Sequence, residues 1–282
     1  MNTILITGCS SGIGYYCAKA LKEEGYKVFA TAKKAEDVAR LTNEGFLSTQ
    51  LDLDSSRSIH AAINWVLSQT DGRLDALFNN GAYGQPGAVE DLSREVLTKQ
   101  FETNLFGTHE LTCEVIKIMR AQGHGRIIQN SSVLGLITLK YRGAYNASKF
   151  ALEGLTDTLR QELTGSNIFV SLIEPGPIES DFRKNAYNAF LTHIPQQESF
   201  HRPVYEAVEK RLAKQSAERK NDPFTLGPEA VLKPLKHALT HPRPKARYYV
   251  TTPTWIFALL RRILPTCLLD KILLKISDDE NK

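Results

Sequence analysis

The sequence predicts an α/β fold, a doubly wound parallel sheet of about seven strands with helices on both faces. Short apolar runs alternate with helical patterns along most of the chain, which is the order of elements in such a sheet. The first run, Thr3 to Thr7, leads into a glycine-rich turn and then into the helical pattern Tyr15 to Glu24. A strand, a glycine-rich turn and a helix begin a dinucleotide-binding unit.

The composition is that of an ordinary soluble globular protein, with 42% hydrophobic and 23% charged residues. The 282 residues leave room for two domains, but α/β folds often use this length in one. We therefore expect one domain over residues 1–250 and an amphipathic extension over 251–282. The formal net charge of +4 is too small to indicate nucleic-acid binding.

The cysteines and the N-terminus favour a cytoplasmic protein. The four cysteines include no Cys-x-x-Cys pair and the histidines are scattered, so we expect no metal site. The N-terminus lacks the charged start and long apolar run of a signal peptide. No uninterrupted apolar run approaches the ~20 residues that span a bilayer.

The first turn carries three glycines with the spacing Gly8-x-x-x-Gly12-x-Gly14. Glycines permit a tight turn and a close approach of a pyrophosphate, and amides at the following helix N-terminus face the anion. A plain turn is the alternative, but the strand before it and the helix after it favour a Rossmann-type cofactor loop.

The second strand, Lys27 to Ala32, ends in Lys33-Lys34. The common dinucleotide fingerprint has an acid near this place, which binds the ribose 2′-hydroxyl. Lysines attract a 2′-phosphate instead, so we expect NADP(H) to be preferred over NAD(H). Lys33 and the Ser11 hydroxyl are the candidate phosphate ligands, and two solvated surface lysines are the alternative.

Further apolar runs predict the remaining strands, which are Phe46–Leu51, Leu74–Phe78, Arg126–Asn130, Ile168–Ile173 and Arg247–Val250. Helical patterns fall between them. They cover Ser55–Thr70, two stretches within Ser93–Met119, the segment that continues after Lys149 through Leu163, and Pro228–Leu239.

Tyr145 and Lys149 lie four residues apart, so they share one face of a helix. A tyrosine normally loses its proton near pH ~10, and a nearby ammonium lowers that pKa. Such a tyrosine can donate or accept a proton near neutral pH. The pair alone is weak evidence, because many helices carry one on a solvated face.

These motifs occur together and in order, and over roughly residues 1–250 the chain resembles the short-chain dehydrogenase/reductase family. The family's Asn-Asn-Ala-Gly appears here as Asn79-Asn80-Gly81-Ala82, with its last two residues exchanged. The motif Glu174-Pro175-Gly176 and the basic cofactor loop are similar to those of the steroid, retinol and aliphatic-aldehyde reductase branch of the family.

The resemblance implies a catalytic set of Asn104, Ser132, Tyr145 and Lys149. Tyr145 would donate the proton, Ser132 would hydrogen-bond the substrate oxygen, and Asn104 would order a water in a proton relay. Lys149 would lower the pKa of Tyr145 and hold the nicotinamide ribose.

The resemblance also implies a cofactor site. Asp52 would bind the adenine amino group; a helix cap is the alternative role there, and it suits Asp54 better. The complete predicted cofactor set is Gly8, Ser10, Ser11, Gly12, Ile13, Gly14, Lys33, Asp52, Leu53, Asn80, Gly81, Tyr145, Lys149, Pro175, Gly176, Ile178 and Ser180.

The implied activity is hydride transfer between NADP(H) and the carbonyl or alcohol of a small apolar substrate. One alternative is a steroid or retinol dehydrogenase working oxidatively. Another is a non-catalytic NADP(H)-binding regulator, which would have no need of all four catalytic residues. We expect a homodimer or homotetramer.

Two segments lie outside the family motifs. Residues 181–226 predict a substrate lid, with aromatics at Phe182, Tyr187, Phe190 and Phe200 and a charged helix over 203–219. In residues 253–276 apolar side chains mix with arginines and lysines. We favour packing of this tail on the protein or on a second subunit over peripheral contact with a membrane.

Overall fold

A computed structural model describes residues 2–213 and 224–280. Its strands form one parallel sheet in the order β3-β2-β1-β4-β5-β6-β7. The predicted fold class is therefore confirmed. The strands are Thr3–Ile6 (β1), Lys27–Ala32 (β2), Leu47–Gln50 (β3), Ala76–Asn79 (β4), Gly125–Asn130 (β5), Ile168–Glu174 (β6) and Arg247–Tyr249 (β7).

The described part of the chain contains eleven α-helices and one π-helix, Glu102–Gly107. The α-helices are Gly12–Glu23 (α1), Ala35–Asn43 (α2), Ser56–Ser68 (α3), Arg94–Phe101 (α4), Thr108–Gln122 (α5), Gly143–Glu162 (α6), Phe182–His193 (α7), Arg202–Ala213 (α8), Glu229–Thr240 (α9), Thr252–Ile263 (α10) and Thr266–Glu280 (α11).

Strand β1 shows how the sheet divides the core into two layers. Successive strand residues point to opposite faces, and Ile4 and Ile6 pack in one cluster with α1 and α9. Leu5, which lies between them, packs in the other cluster with α3 and α5. Because both faces of the strand are covered, it reads as a continuous apolar run rather than as an alternating one.

The predicted lid is partly a packed subdomain. Helices α7 and α8 bury Phe190 against Tyr205, whose ring centroids lie 5.2 Å apart. Tyr205 donates a hydrogen bond to Asp91, which ties these helices to the segment before α4. Phe200, by contrast, is 90% exposed. Residues 214–223, which include the end of the predicted charged helix, lie outside the described residues.

The tail forms two helices, α10 and α11, which are separated at Pro265. One face of this pair packs on the protein, where Ala258 and Leu273 are buried. The Oγ of Ser277 accepts a hydrogen bond from the Lys140 amide at 3.1 Å. In the described part of the chain, no helix combines the length and apolar content needed to cross a bilayer.

Three acidic side chains surround the Arg247 guanidinium where α6, β6 and β7 meet. It contacts Glu153 and Glu174 through one nitrogen, and Asp157 at 2.5 Å through another. Burial, followed by the neighbouring Glu153 charge, raises the pKa of Glu174 to about 8. The single Arg247 guanidinium thus lies against two buried carboxyl groups, Glu153 and Glu174. Folding therefore favours the protonated form of Glu174.

This proton predicts a pH-dependent stability. The pKa of Glu174 rises from 4.5 to about 8 on folding, so the folded state binds the extra proton and loses stability as pH rises through that window. At about 1.4 kcal/mol per proton and pH unit, the wild type should lose on the order of 2 kcal/mol between pH 6 and 8. Glu174→Gln should flatten this decline in urea unfolding.

Glu162→Gln is the matched control, because it removes an exposed carboxylate at the end of α6, away from Arg247 and its three acidic partners. It should keep the wild-type slope of unfolding free energy against pH. Identical slopes for the wild type and Glu174→Gln would show that Glu174 does not carry the proton.

Candidate active site

The glycine loop connects β1 to the N-terminus of α1. Gly8 and Gly12 have φ values of +70° and +56°, which other residues rarely adopt. A Cβ at Gly14 would lie 2.3 Å from the Gly8 carbonyl oxygen. The loop can therefore fold tightly around the first turn of α1 only with glycine at these places, and the amides of that turn are a site for a phosphate.

The exchanged pair Gly81-Ala82 fits against this loop. The Thr7 hydroxyl oxygen accepts hydrogen bonds from the amides of Asn80 at 2.9 Å and Gly81 at 2.8 Å. Neither Gly81 nor Ala82 has a positive φ, so the exchange requires no unusual backbone conformation. The Thr7 hydroxyl holds the turn that follows β4 through two backbone amides. Either order of the two small residues supplies these amides.

A chain of hydrogen bonds then crosses the sheet edge to the catalytic helix. Asn80 Nδ2 donates to the Thr7 carbonyl at 3.0 Å, and Asn130 Nδ2 donates to Asn80 Oδ1 at 2.9 Å. Lys149 Nζ donates to the Asn130 carbonyl at 2.8 Å. The sequence reasoning missed Asn130, although a polar residue that ends a buried strand was a usable signal.

Tyr145 and Ser132 come together as the sequence predicts. The Ser132 hydroxyl lies near enough to the Tyr145 hydroxyl to lower its pKa, and Tyr145 is buried on the first turn of α6. Ser132 also accepts a hydrogen bond from the Leu134 amide at 3.1 Å, which orients its side chain. Lys149 lies 5.7 Å from the centre of the Tyr145 ring.

The pKa of Tyr145 differs in direction from the expectation. Burial raises it to about 12, and the Ser132 hydrogen bond and the Arg142 charge offset this only in part. Burial also lowers the pKa of Lys149 to about 8, against the charge of Glu153. Desolvation of the phenol thus outweighs the groups that lower its pKa, so the net shift is upward, and the contribution of Lys149 stays a prediction.

Asn104 lies in the π-helix between α4 and α5, and it is buried. Its Nδ2 donates to the Tyr83 carbonyl at 2.9 Å and to Ser148 Oγ at 3.2 Å, and its Oδ1 accepts from the Tyr83 amide. The side chain therefore ties the loop after β4 to α6. Wider π-type turns are frequent at functional sites.

The segment after β6 crosses over the glycine loop. The Pro175 carbonyl accepts a hydrogen bond from the Val133 amide at 2.8 Å, next to Ser132. A Cβ added at Gly12 would lie 2.7 Å from Ser180 Cβ. Ile178 pairs with Leu226 at the end of the predicted lid. The predicted cofactor residues of this segment are thus brought between the glycine loop and the start of α6.

The residues expected near the adenosine form an ion-pair cluster. Lys33 Nζ lies 3.0 Å from Asp52 and 2.7 Å from Asp54. Asp54 is not the cap of α3, because Ser55 Oγ accepts the Ser58 amide there at 3.3 Å. Leu53, between the two acids, is buried in the core layer of α3 and α5, and its side chain lies next to Gly81.

Arg40 is a second cation that the sequence reasoning missed. Its guanidinium donates to the Ser10 carbonyl at 2.6 Å and lies over the Tyr15 ring at 5.5 Å. It also pairs with Glu44 at 3.0 Å. Its position on α2, thirty residues beyond Ser10, gives no sequence signal, because only the fold brings it to the loop.

An apolar cluster surrounds the catalytic tyrosine. Tyr145 packs with Leu134, Ile137 and Leu273, and the Phe182 ring lies 5.2 Å away at 63°. A cavity of about 630 Å³ lies on the other face of α6, between the Asn146 side and α11. That cavity does not include Tyr145, so it is separate from the catalytic surface.

The residues present fit a dinucleotide. The glycines keep the loop's own Cβ atoms away from the first turn of α1, whose amides are a site for a phosphate, and Asn80, Lys149 and Ser180 are held around this loop by the contacts described above. Among the described residues, no three histidine, cysteine or acidic side chains are grouped as a metal site requires.

Comparisons with known proteins add a second line of evidence. The family model for short chain dehydrogenase matches residues 2–189. The chain is 43% identical over 272 residues to the oxidoreductase YbbO of Escherichia coli (strain K12), covering 96% of this chain and 93% of the relative. It is 33% identical over 263 residues to 17-beta-hydroxysteroid dehydrogenase type 1 of Homo sapiens, covering 88% and 77%.

A solved structure agrees with these relatives. A short-chain dehydrogenase from Streptomyces avermitilis superposes with a TM-score of 0.75 at 25% identity, covering 96% of this chain and 93% of that chain. The similarity thus includes the segments beyond residue 189, where the lid and the tail lie.

Proposed function

The chain belongs to the short-chain dehydrogenase family of oxidoreductases, and from this premise we propose that it is an NADP(H)-dependent reductase of apolar aldehydes or ketones. The observation that carries the proposal is that Tyr145 lies beside Ser132 and that the buried Lys149 ammonium lies 5.7 Å from the Tyr145 ring. A binding protein without turnover has no use for that arrangement.

In this proposal each side chain has one task. Ser132 hydrogen-bonds the substrate oxygen, and Tyr145 donates its proton to that oxygen as negative charge develops. Lys149 holds the cofactor ribose, and Asn104 orders the water that resupplies the proton. When bound, the nicotinamide cofactor supplies or accepts the hydride.

The state of Tyr145 fits a proton donor. Burial raises its pKa to about 12, so the phenol carries its proton throughout the neutral range. A protonated tyrosine can donate to a carbonyl oxygen, which is compatible with reduction. The same group would accept the proton in the reverse reaction, so this role serves both directions.

Two cations near the glycine loop, Lys33 and Arg40, support the choice of NADP(H). Strand β2 is followed by Lys33 rather than by an acid, and Lys33 is paired with Asp52 and Asp54. Lys33 offsets part of the repulsion that these carboxylates would exert on a phosphate. Arg40, which is anchored at the Ser10 carbonyl, supplies a second positive charge beside the loop.

The environment of the tyrosine supports an apolar substrate. Leu134, Ile137 and Phe182 pack on Tyr145 from the catalytic side. Burial of an apolar chain among such residues contributes about 0.8 kcal/mol per methylene. The human relative at 33% identity is named for a hydroxysteroid, which is consistent with this substrate class.

The first test concerns the acid. Tyr145→Phe keeps the ring but removes the proton donor, so turnover should fall by at least ~10²-fold while NADPH binding persists. Tyr26→Phe, which removes a phenol at the opposite end of the sheet, is the control and should keep wild-type turnover. Near-normal turnover of Tyr145→Phe would contradict the assignment.

The second test concerns the 2′-phosphate. Lys33→Ala should weaken NADPH binding by ~10- to 100-fold, the equivalent of one charge-assisted hydrogen bond, and should change NADH binding little. Lys27→Ala removes the same charge from the other end of β2 and serves as the control. Equal wild-type affinities for NADPH and NADH, measured by fluorescence titration, would refute the preference.

The third test concerns the substrate. For straight-chain aldehydes, kcat/KM should rise by about 4-fold per added methylene until the pocket is filled. Glyceraldehyde, which is short and polar, should be a poor substrate. A kcat/KM that does not change with chain length would argue against an apolar pocket.

A further inference from the structure

The outward faces of α10 and α11 expose a dense set of large apolar side chains. On α10 they recur at helical spacing, opposite the buried Thr254 and Ala258. Trp255 is 57% exposed and Ile263 is 62% exposed. The full set is Trp255, Ile256, Leu259, Ile263, Leu268, Ile272 and Leu274. Monomeric soluble proteins rarely leave such a patch in water.

Basic residues lie along the same faces. Arg262, Lys271 and Lys275 are exposed. Asp270 is the single acid between Thr252 and Lys275. Further acids follow at the end of α11, where Asp278 pairs with Lys140 at 2.7 Å and Glu280 pairs with Arg142. The outward surface therefore combines apolar side chains with positive charge, and the acids of the tail are used to fasten it to the protein.

The combination of apolar and basic side chains distinguishes between two partners for this face, a second copy of the chain and a lipid surface. In a twofold interface between copies the same patch meets itself, so its net positive charge would face an equal positive charge and be repelled. An anionic lipid surface attracts the same charges and accepts the apolar side chains at the boundary of headgroups and acyl chains. Tryptophan is also enriched at that boundary.

We propose that α10 and α11 dock the protein on an anionic lipid surface, with their outward apolar face in the headgroup boundary. The inner face of the same helices meets the catalytic side, since Phe257, Leu269 and Leu273 pack in the cluster that contains Tyr145. The pair is thus one helix layer, ~10 Å, between the lipid and the surroundings of the tyrosine.

This arrangement suits a substrate that partitions into lipid. That consequence rests on the proposed function, because it needs an apolar substrate at Tyr145. The docking itself depends only on the outward face, so it can be measured on protein that is not turning over.

The experiment is flotation of the full chain with phosphatidylglycerol–phosphatidylcholine vesicles and with vesicles of phosphatidylcholine alone. The wild type should float with the anionic vesicles and much less with the neutral ones, and high salt should weaken the association. Truncation is unsuitable, because the inner face of the tail is part of the core.

Two variants test the apolar and the basic side chains of this surface separately. The variant W255S/L259S/I263S removes exposed apolar groups from α10, and it should abolish flotation. The variant R262Q/K271Q/K275Q should reduce partitioning into anionic vesicles on the order of 100-fold, at ~5-fold for each charge near the surface. Phe200→Ser removes an equally exposed ring from the lid and should float as the wild type does.

The contrary results are distinct. Absence of wild-type flotation with anionic vesicles would overturn the proposal, as would equal flotation of the wild type and both variants. A wild-type dimer in analytical ultracentrifugation that does not float, and that W255S/L259S/I263S converts to monomers, would assign this face to a second copy. None of these results depends on the tests of Tyr145 or Lys33.

Discussion

The structure depends on the need to satisfy buried polar groups at the carboxyl edge of an all-parallel sheet. At this edge the strands stop, and their last carbonyls and side chains must find partners away from water. The chain from Thr7 through Asn80 and Asn130 to Lys149 supplies them. It joins β1, β4 and β5 to α6, and so it places the glycine loop and the catalytic helix in one frame.

The same burial sets the chemistry of the site. Removal from water favours the neutral form of every ionisable group, which explains why the pKa of Tyr145 is raised while that of Lys149 is lowered. Behind them, Glu174 shares Arg247 with Glu153. Helix α6 therefore carries both the proposed proton donor, Tyr145, and Glu153, one of the buried acid pair.

The tail links the site to the surface of the protein. Its inner residues belong to the cluster around Tyr145, and its acids pair with Lys140 and Arg142 near the start of α6. Among the described residues, the large apolar side chains of the outward face remain exposed. One pair of amphipathic helices thus serves the core on one side and remains available for an external surface on the other, because each helix has two chemically different faces.

The sequence by itself determined the fold and most of the candidate site. Continuous apolar runs such as Lys27–Ala32, the glycine spacing from Gly8 to Gly14 and the Tyr145–Lys149 pair are local patterns, and local patterns predict strands, turns and helix faces. The predicted bounds of β2 agree with the structure, whereas β3 and β4 differ at their ends by one or two residues, since strand ends depend on pairing.

Only the tertiary structure decided which side chains meet across the chain. It paired Lys33 with Asp52 and Asp54, brought Arg40 to Ser10, and made Ser55 rather than Asp54 the cap of α3. It also reversed the expected shift of the Tyr145 pKa. These outcomes depend on distance, burial and competition between partners far apart in sequence, and spacing along the chain carries no information about them.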